Sequence, residues 1–171
     1  MIRYLFAFLL LAPFTFAAGT TQEQSLNTIV CGPRCVQFVL KHFGQEVELA
    51  ELVREMQWPQ LTEGATAASV IAALENRGVF VKAIQVDPKN TVFVWEHPMI
   101  VHLKPSGDGS LGHFVVRMPQ SADEKVAIFD GLAGLRTEPS DKFSRKMSGV
   151  VLLCSPTRVC KSFVGVCRMV G

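Results

Sequence analysis

Residues 31–44 read CGPRCVQFVLKHFG. Val36, Val39, Leu40 and Phe43 fall at helical spacing. Pro33 suits a first helical turn, where a missing N–H costs nothing, and Gly44 reads as a stop. The stretch predicts an amphipathic helix that opens on a cysteine. Working outward, 46–56 (EVELAELVREM) predicts a second helix and 66–77 (TAASVIAALENR) a third, with Gly78 as its C-cap. After Gly78 the pattern changes. The β-rich runs 79–86, 98–103, 113–118, 125–129 and 148–153 are separated by Gly, Pro, Asn and Asp. A short helix is expected over 139–146. Helices first and strands after predict an α+β domain, with N-terminal helices packed on a mostly antiparallel sheet.

Upstream of this unit, residues 2–18 read IRYLFAFLLLAPFTFAA. One Arg, an apolar run and then Ala17, Ala18 and Gly19 have the layout of a secretory signal peptide. The run is shorter than the roughly 20 residues a bilayer span needs. Residues 1–19 are therefore expected to be cleaved, which makes the protein secreted or periplasmic. An uncleaved N-terminal membrane anchor is the alternative. Four of the 12 Phe lie in this segment, so part of the apolar composition would leave with it.

The whole chain has 171 residues, 49 % of them hydrophobic and 19 % charged, with a net charge of +2. Such a chain builds one core and is not globally disordered. The charge balance gives no reason to expect nucleic acid. Residues 20–153 carry the predicted elements. The remainder, 154–171 (CSPTRVCKSFVGVCRMVG), is a basic, cysteine-containing tail. It is read as a disulfide-tied extension, a basic surface or a solvated end.

The five cysteines are Cys31, Cys35, Cys154, Cys160 and Cys167. An exported chain can keep disulfides, and an odd count leaves a thiol over. Cys31 is the thiol expected to be free. Cys35, Cys154, Cys160 and Cys167 then allow two bridges in any of three pairings. Core packing is a second reading of Cys35, and a nucleophile in place of Cys31 is a third, less favoured because Cys35 lies deeper in the helix.

A cysteine at a helix start feels the positive end of the helix and its unpaired N–H groups, which favour the thiolate. Gly32 is expected to let a substrate approach the backbone. The competing reading of Cys31 is a buried, inert thiol. His113 opens the strand HFVVRM after a Gly-rich loop, and Asp130 ends KVAIFD. A hairpin between these strands would bring His113 and Asp130 to one end of the sheet. Simple Asp-Gly turn chemistry is the other reading of Asp130. His42, His97 and His102 are less suited, with His102 expected to be a hydrogen-bonded core histidine. Cys, His and Asp in this order and setting match a nucleophilic triad of thiolate, general base and orienting carboxylate.

Cys31-Gly-Pro-Arg-Cys35, Gly112-His113-Phe-Val-Val and Phe129-Asp130-Gly-Leu-Ala-Gly134 resemble the three motifs of the papain-like cysteine peptidases of family 39, which remove double-glycine leaders from bacteriocin precursors. The resemblance runs from about residue 22 to 153. It implies a papain-like fold, Cys31 as nucleophile, His113 as base and Asp130 as its orienting partner. It implies a peptide or leader substrate and no cofactor. The family usually carries an oxyanion-hole Gln six residues before the nucleophile. Ser25 stands there, with Gln24 and Gln22 as nearby candidates. Many members are the front of an ABC transporter, whereas this chain resembles the stand-alone exported members. Scattered histidines and the lack of a CxxC pair argue against a metal site. Two further readings stand beside the peptidase. One is a catalytically weak module that binds a peptide, which Ser25 favours. The other is redox chemistry at Cys31 and Cys35, weakened by CxxxC spacing.

Overall fold

The computed structural model describes residues 30–57, 64–89, 91–93, 95–106, 112–119, 124–157 and 167–169. The expected signal segment 1–19, Gln22, Gln24, Ser25 and Cys160 lie outside them.

Helix α1 spans Cys31–His42. Cys31, Cys35 and Val39 form one buried row, and Gly32, Val36 and Leu40 another. These i, i+4 rows make one continuous apolar face. Gly44, at φ 80°, ends the helix, and the Gln45 N–H donates to the Leu40 carbonyl at 2.9 Å, as in a Schellman close. Helix α2 runs Leu49–Gln57 and α3 runs Ala67–Glu75. The second helix starts later than its pattern predicts. Its first carbonyl acceptor is Glu48, while the Gln37 side chain donates to the Val47 carbonyl at 2.9 Å and holds the preceding residues on α1. Thr66 and Ser69 form a reciprocal capping box at the start of α3.

The strands are β1 Phe80–Gln85, β2 Thr91–Phe93, β3 Met99–Leu103, β4 His113–Arg117, β5 Lys125–Asp130, β6 Gly134–Pro139, β7 Met147–Ser155 and β8 Cys167–Met169. Helix α4, Ser140–Lys146, joins β6 to β7. Six strands form one sheet in the order β1-β7-β3-β4-β5-β6, with every pairing antiparallel. The expected α+β class is what the chain adopts.

Alternation along the central strands divides the core between the two sheet faces. Ile100, Phe114, Val116, Leu152 and Cys154 pack with α1–α3. Met99, Val101, Val115, Val151 and Leu153 pack with Phe143 of α4 on the other face. Burial on both faces explains why β3, β4 and β7 read as nearly unbroken apolar runs. Each fully buried Val or Leu contributes about 1.5–3 kcal/mol.

Two expectations are corrected here. Cys154, read as the first residue of the tail, lies in β7 opposite Val81 and is fully buried. Cys35 and Cys154 are also free thiols, as is Cys31. Both sit in the apolar layer between α1 and the sheet, so Cys35 takes its core reading and does not bridge to the tail. Farther on, Cys167 starts β8, which pairs with β2 rather than with the main sheet.

Candidate active site

The site forms where α1 begins, β4 begins and β5 ends. Antiparallel neighbours run opposite ways, so the first residue of β4 and the last of β5 lie at the same end of the sheet. His113 Nε2–H donates to Asp130 Oδ1 at 3.1 Å. A side-chain hydrogen bond also joins His113 to Cys31. The structure thus brings together the three residues singled out in the sequence.

Asp130 is held on several sides. The Leu132 N–H donates to the same Oδ1 at 3.1 Å, which closes the turn after β5. Arg136 Nη2 faces Oδ2 at 3.4 Å. From α1, Arg34 Nη1 donates to the Gly131 carbonyl at 2.6 Å. A Cβ at Gly131 would press to 2.9 Å from Arg34 Cβ and Cδ, so the turn needs glycine to let the arginine cross it. Phe38 stacks on Phe129 with centroids 4.1 Å apart. Arg34 and Phe38 share one face of α1, so both links tie the cysteine-bearing helix to the end of β5.

The charges follow from this geometry. Burial by itself lowers the His113 pKa. The hydrogen bonds to Asp130 and Cys31, and the charges of both, outweigh burial and raise it to about 9. Asp130 is lowered to about 2, first by the His113 hydrogen bond, with the Leu132 N–H and Arg136 also acting against burial. The carboxylate is therefore ionised and the imidazole protonated through the neutral range. His102 goes the other way: burial, then the charge of His113, lowers its pKa. It hydrogen-bonds Ser148 Oγ through Nδ1 at 2.9 Å and packs against Phe114, hydrogen-bonded as expected but half-buried rather than in the core. His42 is exposed, and His97 lies edge-on to Phe43 and Trp95.

One expected role is corrected. Gly32 does not open the backbone to a substrate. It is buried, and a Cβ there would collide with Ala65 Cβ and touch Met56 and Val70. The glycine serves close packing of α1 against the residues that lead into α3.

Sequence reasoning missed Arg34, Arg136 and the Phe38–Phe129 stack. Arg34 lay in plain view inside CGPRC, and helical spacing put it on a face with Phe38. Arg136 had no such signal, because β6 was not recognised as a strand.

A groove of about 710 Å³ runs along α1 as far as Phe129, the residue before Asp130, and none of Cys31, His113 and Asp130 lines it. Phe38 and Phe129 line it, with Arg34 and Lys41 from α1, Glu46 and Glu48 from the segment entering α2, and Glu51 from the first turn of α2. It is large enough to receive several peptide side chains. Among the described residues, no group of three or more His, Cys, Asp or Glu is arranged to hold a metal ion.

A helix-borne cysteine joined to a strand-borne histidine and a carboxylate is the arrangement of a thiol peptidase. Comparison with known proteins agrees. The Peptidase C39 family pattern matches residues 21–159, and the chain belongs to that family. The colicin V secretion/processing ATP-binding protein CvaB of Escherichia coli is 27 % identical over 126 residues. The lactococcin-G-processing and transport ATP-binding protein LagD of Lactococcus lactis is 27 % identical over 131. The match covers 74 % of this chain but only 17 % of either relative. Among solved structures, the peptidase domain of Streptococcus ComA, a bifunctional ABC transporter, superposes with TM-score 0.64 at 24 % identity. That match covers 76 % of this chain and 93 % of the domain. A double-glycine-motif protease from an AMS/PCAT transporter, solved with its leader peptide, gives TM-score 0.60 at 25 % identity. It covers 75 % of this chain and 86 % of that one. The fold is thus the papain-like fold of this family's peptidase domains.

Proposed function

We propose that this protein is an exported thiol endopeptidase that cleaves a peptide or leader, with cleavage after Gly-Gly as the implied specificity. The observation that carries the reading is the hydrogen-bonded series Cys31–His113–Asp130. Cys31, as the thiolate, attacks the scissile carbonyl carbon. The carbonyl π pair moves onto oxygen and gives a tetrahedral oxyanion. That oxyanion collapses, the C–N bond breaks, and His113 gives its proton to the leaving amine. A thioester remains. His113 then takes a proton from water, whose oxygen attacks the thioester and releases the acid and the Cys31 thiolate. Asp130 orients the ring throughout. The Cys31 backbone N–H is one oxyanion donor, and Gln24 or Gln22 is the candidate for the second. Residues 1–19 direct export and are removed, or remain as an anchor.

The groove that reaches Phe129 and the leader-bound relative support a peptide as the substrate. One observation favours a second reading, a weak or inactive module that binds a leader. Ser25 stands where the family usually has the oxyanion glutamine, and losing such a donor costs about 100–1000-fold in rate.

The test is to incubate the chain with a peptide whose leader ends in Gly-Gly, alongside a thiol-directed peptidase probe. Cleavage and probe labelling that are both lost in Cys31→Ala and both depressed in His113→Ala are expected. Labelling unchanged in His113→Ala would count against an activated pair. Labelling without cleavage supports the binding module. Ser25→Gln is expected to raise turnover, and no change would remove the oxyanion argument.

A further inference from the structure

We propose that Arg136 is a positioning residue of this site: by engaging Asp130 Oδ2 it keeps Oδ1 aimed at His113. The inference rests on the peptidase reading above. Asp130 has two oxygens with different duties. Oδ1 accepts from His113 Nε2 and from the Leu132 N–H, each at 3.1 Å. Oδ2 faces Arg136 Nη2 at 3.4 Å.

The sheet register explains how Arg136 gets there. Gly134 pairs directly with Asp130 and presents no side chain. Arg136 is two residues on, opposite Ile128, and so lies on the same face as Asp130. Diagonal neighbours across antiparallel strands are within reach of a long side chain. The Asp130 side chain is 10 % exposed and that of Arg136 36 %. The carboxylate is therefore too enclosed for water to hold it as freely as an exposed one. Without a partner for Oδ2, it could turn about its terminal torsion and exchange the oxygens, a torsion that is broad for Asp.

The charged and titratable groups around this pair come from every neighbouring element. Cys31, Arg34 and Cys35 are on α1, His102 on β3, His113 and the buried Arg117 on β4, Asp130 on β5, and Arg136 and Glu138 on β6, with Glu138 paired to Lys146. Arg34 engages the Gly131 carbonyl and not the carboxylate. Arg136 is the arginine in ion-pair reach of Oδ2 and the one whose charge acts on Asp130.

Two opposed effects make the idea testable. If Arg136 acted only as a nearby positive charge, removing it would favour the imidazolium, and His113 would hold its proton to higher pH. If Arg136 positions Asp130, removing it weakens the Asp130–His113 bond, and His113 loses its proton at lower pH. The full chain and its Arg136→Gln and Arg136→Lys variants should be compared on a Gly-Gly leader peptide across pH 5–11. Arg136→Gln is expected to lower kcat about tenfold with KM near wild type. The alkaline limb should move down by about one pH unit. Arg136→Lys should recover most of both. In parallel, the rate of Cys31 alkylation by iodoacetamide is followed over the same range, since it changes where His113 loses its proton. An upward move or no move of that transition in Arg136→Gln overturns the positioning role. If no variant, nor the wild type, cleaves the peptide, the peptidase reading fails. The alkylation transition still decides the role of Arg136.

Discussion

Cys31 and Cys35 are one helical turn apart on the same buried face of α1, yet their surroundings differ. Cys31 is hydrogen-bonded to His113. Cys35 is fully enclosed among Val39, Leu40 and the sheet. Burial pushes the Cys35 thiol well above its ordinary range, and the charges of Cys31, Asp130 and Cys154 push in the same direction. Cys154, across the same apolar layer, is pushed up by burial to about 12. The comparison teaches that burial alone does not distinguish the three thiols, since all are buried. What distinguishes them is the partner, and a histidine held by a carboxylate faces only the first turn of α1. A thiol deeper in the helix packs as a small hydrophobe.

The sharpest way to break this comparison is to remove each thiol in turn. Cys31→Ala is expected to abolish cleavage, a fall on the order of 10⁴-fold or more, while thermal stability stays close to wild type. Cys35→Ser is expected to do the reverse. It places a hydroxyl in an apolar layer and lowers unfolding free energy by about 1–3 kcal/mol, while the cleavage rate stays near wild type. Denaturant unfolding and peptide cleavage read the two halves. Equal losses of cleavage in both variants would erase the distinction.

Next in size is the pH dependence of the pair. His113 has a raised pKa, so its proton is retained below about 9 and lost as pH rises through that value. Above it the leaving amine lacks its proton donor, and kcat/KM should fall about tenfold per pH unit. Asp130 is shifted down, so its carboxylate persists until pH falls toward about 2. The same shifts govern stability. The His113 contribution is complete below its unfolded value, near 6.5, and is lost through about 9. The Asp130 contribution is complete above its unfolded value, near 3.8, and is lost as pH falls toward 2. His113→Gln should remove the alkaline step in both cleavage and unfolding profiles. A profile that keeps its step near pH 9 in that variant would assign the step elsewhere.

Much of this architecture was legible in the sequence wherever periodicity and composition agree. The helix opening on Cys31 carries a 3.6-residue pattern between a Pro and a Gly. β3, β4 and β7 announce themselves because both their faces are covered. β6 (GLRTEP) escaped notice because it is an edge strand, begins on Gly, ends on Pro and is only half-buried at alternate positions. With β6 unseen, Arg136 had no strand to place it beside Asp130. Gly32 was misread for a different reason. A glycine next to a candidate nucleophile suggests substrate access, and only the path of the residues before α3 reveals a packing role. The bridges considered for Cys35 and Cys154 are not made, because spacing carries no information on which thiols the sheet encloses.

The smallest effect tests that packing role and returns to the comparison at α1. The missing side chain of Gly32 faces Ala65, Met56 and Val70, while its neighbour Cys31 is hydrogen-bonded to His113. Adding one methyl in Gly32→Ala drives it against Ala65 Cβ, and overpacking of this kind costs about 1–3 kcal/mol. Relief requires α1 or the 64–66 segment to shift. The double variant Gly32→Ala with Ala65→Gly removes the opposing methyl. If the glycine is there for packing, the double variant regains most of the lost stability. If it is there to admit a substrate, Gly32→Ala raises KM, and Ala65→Gly leaves that rise in place. Unfolding midpoints and KM across the four proteins of this cycle separate the two, since the coupling energy of a cycle isolates the contact between the two side chains.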